Sequence, residues 1–174
     1  IDVPEAYFEY EVLAPRATAR GKVTIQDKSF NILATRNAYV DHTNTNIAPF
    51  DFAKRFGRFR SFNKDVTVMW REVQLETKYG ARSLTWMIVG YKDKIIFSDA
   101  NAKIRFGKTS RDATTGYALP YAVQVDGKNG KDSVKIVLQG KTMKKQDLLD
   151  SYGAAAKMVA SAVSKPFRYD FYGN

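Results

Sequence analysis

Pro15-Arg16-Ala17-Thr18-Ala19-Arg20-Gly21-Lys22-Val23-Thr24-Ile25, a turn at Gln26-Asp27-Lys28, then Ser29-Phe30-Asn31-Ile32-Leu33-Ala34 is the stretch on which the fold depends. Ala17, Ala19, Gly21, Val23 and Ile25 alternate with Thr18, Arg20, Lys22 and Thr24, so small and branched residues share one face of a strand and polar ones the other. The hairpin leads into Tyr39-Val40-Asp41-His42-Thr43-Asn44-Thr45-Asn46, which holds the single histidine of the chain. Polar residues crowded just beyond a strand are candidates for a site positioned by a rigid scaffold.

The same period of two recurs on either side. Residues 6 to 13 alternate and read as a strand that Pro15 breaks. Residues 36 to 62 lack clear periodicity and read as a long loop with a turn of helix near 50 to 55. Alternation resumes over 65 to 76, 82 to 91, 94 to 98, 102 to 106, 117 to 126 and 132 to 139, with turns at Tyr79-Gly80, Lys92-Asp93 and Gly127 to Gly130. Residues 167 to 172 read as a last strand. Roughly ten short strands at even spacing are the mark of an antiparallel barrel or sandwich. One segment departs from this. Leu148, Tyr152, Ala155, Val159 and Ala162 recur at three and four residues, which predicts an amphipathic helix over roughly 145 to 164, ended by Pro166, with Lys144, Lys145, Lys157 and Lys165 on a solvated face.

Composition narrows the class. With 174 residues the chain is expected to form one domain, long enough to bury about 70% of its unfolded surface. It begins and ends abruptly, as a piece truncated at one or both ends does. Aromatics make up 13% of it, which favours sheet. A formal charge of +10 attracts anions, whether phosphates, acidic lipid surfaces or carboxylates. The absence of cysteine excludes thiolate catalysis and Cys-based metal sites and fits any compartment. No apolar run reaches the ~20 residues of a membrane helix, so contact with a membrane would be peripheral. One histidine without an acidic cluster at ligand spacing predicts no metal, and neither a phosphate-cradling glycine loop nor another cofactor motif is present. Lys54-Arg55-Phe56-Gly57-Arg58-Phe59-Arg60 interleaves bases and aromatics, but no nucleic-acid signature surrounds it, and no nucleic-acid partner is expected.

Pro15-Arg16-Ala17 with Gly21, Phe30 and Tyr39-x-Asp41-His42-x-x-x-Asn46 resembles the carotenoid hydratase (hydroxyneurosporene synthase) family, whose lipocalin-like barrels are shared with tocopherol cyclase and fungal Diels–Alderases. Phe56-Gly57-Arg58, the strand Asp65 to Val73 and Lys165 to Phe171 extend the resemblance. The chain departs from that family at Val40, where a second His is usual, and at Thr43-Asn44. The expected architecture is mainly β: one lipocalin-like antiparallel barrel over 1–174 with a single C-terminal α-helix.

As the resemblance implies, the barrel binds a small apolar molecule of isoprenoid or polyketide type and catalyses its acid-assisted hydration or cyclisation, a lyase or isomerase reaction. Asp41 and His42 would deliver the proton. A carboxylate on one imidazole nitrogen raises the basicity of the other, although the pair could equally hydrogen-bond a closing loop. Asn46 would orient ligand or water. Tyr39, Trp70, Trp86 and Tyr117, with Tyr10, would line the cavity and shelter positive charge, or simply fill the barrel. Arg58, like Arg16, would grip a carboxylate or form an internal ion pair with Glu9, Glu11 or Glu72. A non-catalytic carrier using the same cavity is the alternative.

Overall fold

The computed structural model describes residues 2–3, 6–150, 153–154, 157–158, 161 and 166–172. The chain divides into two compact units, Ile1–Asn101 and Ala102–Asn174.

The first unit is built from a long ribbon and a four-stranded sheet. β1 (Asp2–Val3) pairs with the start of β2 (Ala6–Ile25), and β2 returns through a two-residue turn into β3 (Lys28–Thr45). Gln26 takes φ 53° in that turn, the positive first position of a tight hairpin turn. Pro15 does not break the strand. Four register shifts between Val12 and Gly21 interrupt the ladder there, and at such bulges a residue without an N–H removes no ladder bond. One helical turn, α1 (Pro49–Phe52), then precedes β4 (Ala53–Phe62), β5 (Val66–Leu75), β6 (Ser83–Tyr91) and β7 (Lys94–Asp99), which form an antiparallel sheet in that order.

β4 occupies much of the expected loop. Its alternation is hidden because both faces mix cation and ring: Phe56, Arg58, Arg60 and Phe62 on one, Arg55, Gly57, Phe59 and Ser61 on the other. The base of the ribbon packs on this sheet through Phe8, which meets Phe52, Ala53, Val73 and Leu75, with Tyr10, Ile47, Tyr79 and Leu84 around them. The opposite face of the sheet is buried as well. There Glu72 is fully buried, held by Arg55 through Nε and Nη2 at 3.0 and 2.7 Å and by the Ser83 hydroxyl at 2.9 Å. A Cβ at Gly57 would stand 2.9 Å from the Trp70 ring, so the close approach of that ring requires glycine.

The second unit holds β8 (Lys103–Phe106), β9 (Thr109–Arg111), β10 (Ala118–Pro120), β11 (Ala122–Asn129), β12 (Asp132–Gln139), β13 (Thr142–Asp147) and β14 (Phe167–Tyr172). They pair antiparallel as β12-β11-β8, β9-β10 and β13-β14. Asp112 organises the loop after β9. Its Oδ1 accepts the N–H groups of Thr114 and Thr115, the Thr115 hydroxyl and, at 2.8 Å, the Lys145 ammonium. The Thr115 hydroxyl also bonds the Tyr169 phenol at 2.8 Å. The Lys145 bond, reinforced by the backbone N–H of Thr115, lowers the Asp112 carboxyl to about 2.

Two expectations are corrected here. The mainly β, antiparallel class is right, but no sheet closes into a barrel among the described residues. The C-terminal helix expected over 145 to 164 is not seen at the start of that range. Its opening lysines belong to β13, where Lys145 lies opposite Tyr169, and Leu148 is exposed while Leu149 is buried. Tyr152, Ala155, Val159 and Ala162 of the expected stripe lie outside the described residues, while Ala154, Lys157, Met158 and Ser161 between them are helical. Lys157, expected on a solvated face, bonds Asp147 and Asp150 at 2.8 and 2.6 Å.

Candidate functional site

Where the ribbon crosses the sheet, alternation selects which side chains meet. Phe8, Tyr10 and Val12 of β2 lie opposite Thr45, Thr43 and Asp41 of β3, so these residues, with Tyr39, share the face that looks onto the sheet. From the sheet, register places Arg58, Arg71 and Trp86 in one row and Arg60 and Met69 in the next. Tyr10, Tyr39 and Asp41 of the ribbon and Arg58, Arg60, Met69, Arg71 and Trp86 of the sheet border a small pocket of about 20 Å³.

The polar heart of the pocket is a relay of two phenols and a carboxylate. The Tyr10 hydroxyl donates to Asp41 Oδ2 at 2.6 Å and is also bonded to the Tyr39 hydroxyl. Because the Tyr10 O–H points at Asp41, the Tyr10 oxygen accepts from the Tyr39 hydroxyl. Burial, aided by the Tyr10 bond and by the nearby Asp41, pushes the Tyr39 phenol above its ordinary 10.0, so it stays neutral and keeps its proton for donation. Rings and guanidiniums frame this relay. Arg71 lies 3.6 Å over the Tyr10 ring, Arg60 4.3 Å over the Tyr39 ring, and Trp86 stacks on Tyr10 at 5.7 Å. Such cation–ring contacts are worth about 0.5–2 kcal/mol each, rising with desolvation.

The sequence-derived site residues are distributed as follows. Tyr39, Asp41, Arg58, Trp70 and Trp86 border the pocket. Trp70 lies one residue out of phase with Arg71, and its ring stacks on Phe59 across the other face of the sheet. His42 sits opposite Glu11 on the outer face of the ribbon and is exposed, so adjacent Asp41 and His42 point to opposite sides of one strand. Asn46 closes the ribbon base, its Oδ1 accepting the Tyr7 N–H at 2.7 Å. Tyr117 belongs to the second unit, where its N–H meets the Thr115 hydroxyl. Arg16 donates to the carbonyls of Asn63 and Lys64, and Glu72 is taken by Arg55.

The residue that composition did not flag is Arg71. The signal was available: on the face Thr67, Met69, Arg71, Val73, Leu75 of the central strand, one cation interrupts an otherwise apolar and hydroxyl run. No group of His, Asp and Glu able to hold a metal ion occurs among the described residues. Two phenols, one carboxylate and three guanidiniums can hydrogen-bond and orient a polar group.

Residues 6–174 match the profile of the Svf1 family. The Ceramide-binding protein SVF1 of Yarrowia lipolytica is 23% identical over 173 residues, which cover 90% of this chain and 44% of that protein. The chain therefore spans under half the length of that relative. No solved structure matches it. The family match overturns the resemblance to carotenoid hydratases and tocopherol cyclase: the Asp41-His42 motif and its companions sit in a chain of another family, and the departures at Val40 and Thr43-Asn44 mark where the motif fails. These comparisons lend no support to hydration or cyclisation.

Proposed function

The chain belongs to the Svf1 family, and from that premise we propose that it is a non-catalytic binding module for a ceramide-class lipid, a molecule with long apolar chains and an uncharged hydrogen-bonding head. The observation that carries the reading is the name of the relative, a ceramide-binding protein. The pocket chemistry supports it. A ceramide head offers hydroxyls and an amide, each both donor and acceptor; the relay of Tyr39, Tyr10 and Asp41 offers oxygen acceptors, and the Arg58, Arg60 and Arg71 guanidiniums beside it offer donors.

At about 20 Å³ the pocket holds roughly one water-sized group. It takes one hydroxyl and no acyl chain, so the amide and the tails run over surface outside it. Arg58 and Trp86 flank the head, one as a donor and one as a flat apolar wall. Asp41 acts here as an acceptor and not as a proton donor, and His42 has no role in the site.

Ceramide presented from cyclodextrin, with binding followed by native mass spectrometry, tests this. Saturable binding with the lipid recovered unchanged is expected, and Tyr39→Phe should weaken it about tenfold by removing one head-group bond. Failure of the folded chain to bind ceramide sinks the reading. Conversion of the lipid to a product would return an enzyme to consideration.

A further inference from the structure

We propose that the tip of the β2–β3 ribbon is a docking element for an anionic lipid bilayer. From Gly21 onward the ribbon has two strands only, both of them edges, and every described side chain to Leu33 is exposed. Register makes the tip two-faced. Val23 lies opposite Phe30 and Gly21 opposite Ile32, with Ile25 closing the row beside Lys28, whereas Lys22 lies opposite Asn31 and Thr24 opposite Ser29. Near the turn the second face satisfies itself, the Thr24 and Ser29 hydroxyls bonding at 3.0 Å, while Leu33, past the last of these pairs, is exposed. The first does not: Val23, Ile25, Phe30 and Ile32 are 40, 61, 52 and 39% exposed.

A two-stranded ribbon in water is marginal, and a continuous apolar face on it marks a surface that something covers. Charge identifies the occupant. Lys28 stands in the apolar row beside Ile25, and Lys22 and Arg20 extend from the reverse side of the same narrow ribbon. The tip carries Asp27 as its one acidic residue, and the chain as a whole is +10. Apolar side chains rimmed by cations are the pattern that enters a headgroup region and pairs with anionic lipid. The ribbon is also long enough to reach. From Phe8 to Ile25 it spans roughly 55 Å at the ordinary strand rise, which carries the tip clear of the sheet that covers its base.

The β6–β7 hairpin is the useful contrast. It too exposes Tyr91, Ile95 and Ile96, but Ile95 and Ile96 are neighbours on one strand and point to opposite faces, and a register shift lies beside them between Val89 and Gly90. It presents no single apolar face.

The absence of cysteine provides the test. A single Ile25→Cys on the apolar face, or Thr24→Cys on the polar one, carries an environment-sensitive fluorophore, and vesicles of phosphatidylcholine with or without phosphatidylserine are added. The Ile25 label should shift to an apolar environment with the phosphatidylserine vesicles, and the Thr24 label should respond much less. Equal responses from both positions, no response from either, or a response to raised protein concentration without vesicles (a second copy covering the face) overturns the proposal. In a flotation assay, Ile25→Ser with Phe30→Ser should lower vesicle affinity about tenfold or more, and Lys22→Glu or Lys28→Glu about fivefold each, an effect that salt erases. Unchanged flotation of the double variant also overturns it. The proposal stands on the ribbon's own pattern. Tyr39→Phe should leave vesicle binding unaltered, so failure of the head-group site and failure of docking appear in different variants.

Discussion

The two ends of the β2–β3 ribbon are made by the same two strands, with the phase reset by register shifts between them, yet they have opposite fates. At the base Phe8 is buried against Phe52 and Val73, and Tyr10 lies between Arg71 and Trp86. At the tip Val23, Ile25 and Phe30 form an apolar row of their own and remain open. Alternation states which side chains share a face, and only a neighbouring layer decides whether that face is dry. One ribbon therefore supplies both a structural anchor and an unsatisfied surface.

The largest expected effect breaks the anchor. Phe8→Ala should destabilise the first unit by about 3–5 kcal/mol, the usual cost of truncating a buried aromatic, whereas Phe30→Ala at the tip should change stability by no more than about 0.5 kcal/mol. Thermal melts of the two variants side by side check the contrast, and equal losses would show that the tip is packed. Beneath the anchor, Arg55→Ala leaves Glu72 buried without its cation and should cost about 3 kcal/mol in denaturant unfolding; a smaller loss would mean that water reaches Glu72.

Gly57→Ala, whose new methyl meets the Trp70 ring, should cost about 1–3 kcal/mol, and intrinsic tryptophan fluorescence gives a second readout as the ring moves. Next comes Tyr39→Phe, expected to cost about 1 kcal/mol near neutrality through the lost bond. Its clearer signature is alkaline. Because the folded Tyr39 phenol is raised above 10.0, the protonated group favours the folded state, a contribution fully present below pH 10 and lost as pH climbs beyond it. The variant should therefore flatten the alkaline limb of a stability curve, and an unchanged limb would remove Tyr39 from the relay.

The smallest effect is reserved for the second unit. Asp112 sits at about 2 against an ordinary 3.8. A carboxyl depressed in the folded state contributes stability above 3.8 that disappears as pH falls toward 2. Asp112→Asn should remove that acid dependence while leaving both ends of the ribbon unmoved, and retention of the dependence in melts across this window would assign it elsewhere.

Much of the strand pattern was legible without coordinates. The hairpins at Gln26-Asp27, Lys92-Asp93 and Gly130 announce themselves through turn residues between alternating runs, and these local rules survive whatever the rest of the chain does. β4 and the bulged middle of the ribbon were not legible, because cations share faces with rings in one and register shifts reset the phase in the other. Residues 39 to 46 were read as a polar cluster beyond a strand. As part of β3 they alternate, and that alone separates His42 from Asp41.

By itself, then, the sequence determined an antiparallel β protein without cysteine, strongly basic, with apolar and polar residues assigned to sides. The tertiary structure alone decided that no sheet closes among the described residues, that Arg71 and Trp86 meet Tyr10, and that one apolar row of the ribbon is buried and another left bare. The reason is physical: sidedness follows from backbone geometry within a strand, whereas burial depends on which other surface arrives, and that is set by contacts far apart in the chain.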